Sequence, residues 1–138
     1  MPGPTAKGEC CLAIPEALVL LRIARRDLQA AVLLQNPAAD EANWGFQIQQ
    51  AVEKALKAWL FGLGDDPPLI HNLTALFGRI TDRGGLVEPF LALEAFTAFA
   101  VQFRYDAEPE QMNLDRQHWH QQAAVLVDHV AAICDAMS

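Results

Sequence analysis

An all-α fold, an up-and-down bundle of about five helices, is what this sequence predicts, and three observations predict it. Apolar residues recur at helical spacing in five stretches. Pro and Gly punctuate the ends of those stretches. No segment alternates apolar and polar residues between turn signals as a hairpin would, and no internal repeat is visible. A chain of 138 residues fits one domain, and at that size a single core buries roughly 68–70% of the surface the unfolded chain exposes. The composition, 52% apolar and 20% charged, is that of a soluble globular domain. No stretch joins the ~20 apolar residues of a membrane span to freedom from charge.

Residues 1–13 hold Pro, Gly and Lys but no apolar run followed by a small-residue cleavage site, so they read as a mobile tail and not as a signal peptide. The domain is then 14–138, and the expected compartment is the cytoplasm. The first helix runs from Ile14 to about Asn36, with Pro15 in its first turn and Pro37 ending it. Projected at about 100° per residue, Leu20, Leu21, Ala24, Leu28, Ala31 and Val32 form one apolar arc. Asp27 projects into that arc, where a carboxylate needs a partner.

Asp40 is positioned as the N-cap of a second helix ending near Leu63, with Gly62 and Gly64 as the stop. Its buried face is Ile48, Val52, Ala55, Leu56, Trp59 and Leu63, and its outer face is Gln50, Glu53, Lys54 and Lys57. Glu53 and Lys57 stand at i and i+4 in the favourable order, worth about 0.2–0.5 kcal/mol on an exposed face. A third helix starts at His71 or Asn72 and ends at Gly84-Gly85, with Leu73, Leu76, Phe77 and Ile80 inward. Pro89 opens a fourth, aromatic helix to about Asp106, carrying Phe90, Phe96, Phe99 and Phe103. Arg104 projects into its apolar arc, and a buried ion pair with Asp27 satisfies both misplaced charges. Pro109 starts the last helix, whose core stripe is Trp119, Ala123, Leu126, Val127, Val130, Cys134 and Met137.

Several chemistries are disfavoured. The formal net charge of −7 opposes broad, sequence-independent nucleic-acid binding, whose affinity comes from Lys and Arg neutralising phosphates. Cys10, Cys11 and Cys134 fit neither a disulfide framework nor a zinc spacing, and read as reduced thiols. No metal site is expected. On the last helix His118 and His129 lie roughly 16 Å apart along the axis and His118 and His120 point about 200° apart, which leaves at most Asp115 with His118 as a chelating pair. Neither a Gly-x-Ser-x-Gly elbow nor a phosphate-cradling Gly-rich loop is present. No cofactor is implied.

Four segments remain: Arg26-Asp27-Leu28-Gln29-Ala30-Ala31, Gln49-Gln50-Ala51-Val52-Glu53-Lys54-Ala55-Leu56-Lys57-Ala58, His71-Asn72-Leu73 and Arg104-Tyr105-Asp106. In order and spacing they resemble the successive signatures of HEPN domains, of the bacterial type paired with minimal nucleotidyltransferases. The resemblance implies a homodimer of five-helix bundles, a neighbouring nucleotidyltransferase as partner, a toxin–antitoxin-like setting and a capacity to bind nucleotides. Gln50, Lys54, Lys57, His71, Arg104 and Tyr105 are the ligand or partner contacts it suggests. Many HEPN toxins are metal-independent ribonucleases with an Arg followed, after four to six residues, by a His. Here Pro109, Glu110 and Gln111 follow Arg104 at those positions, and Gln121, Gln122 and Ala123 follow Arg116. Without that imidazole the proton transfers of RNA cleavage have no assigned carrier. The expected function is therefore a non-catalytic binding module, and the alternative is a divergent ribonuclease using Arg104 with His118 or His120.

Overall fold

The computed structural model describes the backbone of residues 3–101 and 105–137 and the side chains of residues 14–101 and 105–137. Helix α1 spans Gly3–Leu33, α2 Glu41–Gly62, α3 Leu73–Asp82 and α4 Arg116–Met137, with a 3-10 helix over Glu88–Ala100 between α3 and α4. No strand occurs among the described residues. This is the all-α bundle of five helical elements that the periodicity predicts.

Helix α2 is the axis of the bundle and packs against every other element. That explains its composition. Trp44, Ile48, Leu56, Trp59 and Leu60 are essentially inaccessible to solvent, and each apolar side chain buried in this way contributes about 1.5–3 kcal/mol. Gly45 lets the Phe99 ring lie directly against the α2 backbone, where any Cβ would collide with that ring. From α1 the core takes Ile14, Ala17, Leu21, Ala24, Leu28 and Ala31, whereas Val32, expected inside, is exposed.

The helix ends follow local chemistry. Asp40 caps α2 by accepting from the Ala42 amide at 3.2 Å, and Asn72 caps α3 by accepting from the Ala75 amide at 3.1 Å. Both helices close with paired reverse hydrogen bonds around a left-handed glycine. Gly64 (φ 80°) and Gly84 (φ 88°) occupy that position. The Asp65 and Gly64 amides donate to Leu60 and Phe61 carbonyls, and the Gly85 and Gly84 amides to Ile80 and Thr81 carbonyls.

Three elements differ from expectation. Helix α1 begins at Gly3, so Pro15 lies inside it and not in its first turn. The aromatic fourth element is a 3-10 helix. In that geometry residues three apart eclipse one another, and Phe90, Leu93, Phe96 and Phe99, all buried, recur at that interval. Helix α4 begins at Arg116 and not at Pro109, because Asp115 supplies the cap: its carboxylate accepts from the His118 amide at 3.1 Å. The preceding segment is held instead by Glu41, whose buried carboxylate accepts from the amides of Met112 at 2.6 Å and Leu114 at 2.9 Å. Within α4 the expected stripe is buried from Ala123 to Cys134, while Trp119 is half-buried and Met137 is 39% exposed.

Candidate functional site

On α2, Gln49, Glu53 and Lys57 follow one another at four-residue intervals, and Gln50 and Lys54 form a second such row beside them. Helical geometry places each row along one edge of the cylinder, and the structure joins both rows into one hydrogen-bonded chain. Lys54 Nζ donates to Asp27 Oδ2 on α1 at 2.9 Å and to Gln50 Oε1 at 2.8 Å. Gln50 Nε2 donates to Gln49 Oε1 at 2.7 Å, and Gln49 Nε2 donates to Glu53 Oε1 at 2.9 Å. Glu53 accepts further from Lys57 Nζ at 3.1 Å and meets His71 Nδ1 at 3.0 Å from both carboxylate oxygens. Gln49 Nε2 also donates to the His71 carbonyl at 3.3 Å.

Glu53 is the hub, and its burial corrects the sequence reading that placed it on the outer face. Its residue is 5% exposed. A helical projection shows a residue's direction on its own helix. It does not show that the α2–α3 connection, ending in His71, returns across that face. Burial presses the carboxyl upward, but hydrogen bonds from Gln49, Lys57 and His71 and the Lys57 charge outweigh it and hold the group below the usual carboxylate range. Glu53 is thus an acceptor, and Nδ1 is the nitrogen of His71 that carries hydrogen toward it.

Asp27 is paired with a residue the sequence reading did not assign to it. Its partner is Lys54; Arg104 lies outside the described residues, as does Phe103. The expected contacts Gln50, Lys54 and Lys57 are half-buried and mutually engaged, while His71 projects outward with 66% of its side chain exposed. Tyr105 is 75% exposed, beyond the 3-10 helix. His118 is exposed with its ring edge-on to Trp119, and His120 is half-buried in a groove with Arg25, Leu28, Gln29 and Val32, where burial lowers its pKa. Among the described residues no group of three or more His, Cys, Asp or Glu side chains is arranged to hold a metal ion, and no helix is long and apolar enough to cross a membrane. Cys134 is buried, which pushes its thiol pKa up.

Two structural clusters are not evident from the sequence. Arg116 donates to the carbonyls of Leu34, Asn36 and Ala39 at 2.7–2.9 Å and lies over the Trp44 ring, closing the α1–α2 connection. With Glu41 it borders a polar cleft of about 460 Å³ that also touches Gln35, Pro37 and Asp115. Both charged groups are spent on backbone atoms. Asp65 receives a two-point contact from Arg79, at 2.6 and 2.9 Å, and a third contact from Arg83 at 3.2 Å. Only Gln49 among the missed polar groups bears on the site, and its signal was present: a glutamine four residues before Glu53 and eight before Lys57 on one edge of a helix.

The family model described as HEPN domain matches residues 17–137. Searches of curated proteins and of solved structures each return no significant match.

Proposed function

Because this chain belongs to the HEPN domain family, we propose that it is a non-catalytic helical binding subunit that dimerises and holds a minimal nucleotidyltransferase or a nucleotide, within a toxin–antitoxin-like pair. The observation that carries this reading is the state of the α2 array. Lys54 and Lys57 are each matched by a carboxylate, Asp27 and Glu53, so the array is a pre-ordered recognition surface and not a basic track for nucleic acid. The sequence also lacks the Arg and His spacing of the ribonuclease members. The test is light scattering after size exclusion, on the chain alone and mixed with the minimal nucleotidyltransferase encoded beside its gene. A dimer mass and a joint peak are expected. A monomer that co-elutes with no such product overturns the reading.

The exposed His118 supports a second reading, a divergent ribonuclease in which it, or His120, works with Arg104. Induced expression then arrests growth and degrades RNA. An Arg104→Ala variant that still cleaves removes this assignment.

A further inference from the structure

The polar cleft of about 460 Å³ beside Glu41 and Arg116 has two walls, and a charge distant in sequence holds each. One wall is the segment before α4, where the two oxygens of Glu41 take the amides of Met112 and Leu114, the residues on either side of Asn113. Asn113 itself stands in the left-handed region at φ 55°, which Asn tolerates better than most residues with a Cβ. The other wall is the α1–α2 connection, whose Leu34, Asn36 and Ala39 carbonyls Arg116 holds. Both walls are fixed before any ligand arrives, which lowers the ordering cost of binding. A left-handed residue gripped on both flanks points to a side chain that is being presented.

The lining narrows the ligand. The side-chain amides of Gln35, Gln111, Asn113 and Gln117 border the cleft, and none of them is hydrogen-bonded to another described residue. Each offers both donors and an acceptor. The charges do not favour an anion: Arg116 is turned to carbonyls, Glu41 is covered by amides, and Asp115 uses one carboxylate oxygen to cap α4 and keeps the other. Among the described lining residues there is no aromatic ring, so a base or a sugar face lacks a stacking platform. Donors and acceptors in alternation without net charge are the chemistry of peptide backbone. The volume falls within the roughly 300–1,000 Å³ of ligand clefts and admits a few residues of extended chain.

We propose that this cleft binds a short extended peptide segment of a partner protein, with backbone amides read by Asn113, Gln111 and Gln117 and a basic side chain placed at Asp115. Glu41 and Arg116 are positioning residues. The site shares no residue with the α2 array and does not depend on the reading given above.

The experiment is an NMR titration of the ¹⁵N-labelled full chain with a capped pentapeptide, Ala-Ala-Lys-Ala-Ala, and in a second arm with Ala-Ala-Glu-Ala-Ala. The lysine peptide should shift the side-chain amide signals of Asn113 and Gln117 saturably and bind more tightly than the glutamate peptide. Asn113→Gly keeps the left-handed backbone available and removes only the amide. It should fold like the parent and weaken the lysine peptide about two- to tenfold, the scale of a single hydrogen bond. Glu41→Gln, which leaves one of its two backbone donors without an acceptor, should speed hydrogen exchange at Met112 or Leu114 and weaken the peptide without touching it. No saturable shift with the lysine peptide at millimolar concentration, or parent affinity in Asn113→Gly, overturns the proposal. Equal affinity for the two peptides overturns the placement of a basic side chain at Asp115.

Discussion

Lys54 and Asp27 meet at 2.9 Å across the contact between α2 and α1, each side chain about one-fifth exposed. The pair lies between the exposed case, worth little, and the fully buried case, where removing one partner strands a charge. Asp27→Ala should lower unfolding free energy by about 1–3 kcal/mol, and the loss should shrink when Lys54→Met is added. Denaturant unfolding of the two single variants and the double variant measures this coupling. Strict additivity would mean that the two residues do not support each other.

Glu53 and Asp65 make stability depend on acid in a predictable direction. Hydrogen bonding to Arg79, with the Arg79 and Arg83 charges, holds Asp65 below its ordinary value of 3.8, and the donors around Glu53 hold it below its ordinary 4.5. A carboxyl depressed in the folded state binds fewer protons there than in the unfolded chain, so its contribution is complete above the ordinary value and is lost as pH falls through the folded one. Stability against thermal unfolding should therefore fall progressively below pH 4.5, and Glu53→Gln should show a smaller loss over that range than the parent chain.

At neutral pH the same Glu53→Gln change should cost about 1–3 kcal/mol, because a neutral amide cannot accept from Gln49, Lys57 and His71 together. Lys57 would keep its charge without the buried anion. An equal denaturation midpoint in the variant and the parent would count against Glu53 as the hub.

How much of this was legible beforehand depends on the kind of signal. Asp40, Asn72, Gly64 and Gly84 act through neighbours a few residues away, so α2 and α3 came out nearly to the residue. The wide apolar arc of the fourth element does not distinguish a 3-10 helix from an α-helix; the three-residue interval of Phe90, Leu93, Phe96 and Phe99 does. The start of α4 was misplaced because Pro109 suits a first turn anywhere, whereas the segment after it is held by Glu41, distant in sequence. For the site, Lys54, His71 and Asp27 stood out as residues, but their pairing did not. That pairing depends on how α1 and the α2–α3 connection cross α2, and neither crossing is written in the period of one helix.

Two glycines should respond to alanine in opposite directions. Gly45→Ala drives a methyl group into the Phe99 ring and should cost about 1–3 kcal/mol as an overpacked core position. Gly78, exposed within α3, would place its methyl group in open space. Gly78→Ala should therefore stabilise by about 0.4–1 kcal/mol through reduced freedom of the unfolded chain. Paired thermal melts check both signs at once.

The most direct measurement is the tautomer of His71, read from ¹⁵N chemical shifts and one-bond couplings at a pH where its imidazole is neutral. With Glu53 Oε1 and Oε2 both 3.0 Å from Nδ1, hydrogen should sit on Nδ1 and leave Nε2 as the outward lone pair, and Glu53→Gln should abolish that preference. Hydrogen on Nε2 in the parent chain, or an averaged mixture of tautomers indifferent to Glu53, would contradict the oriented imidazole.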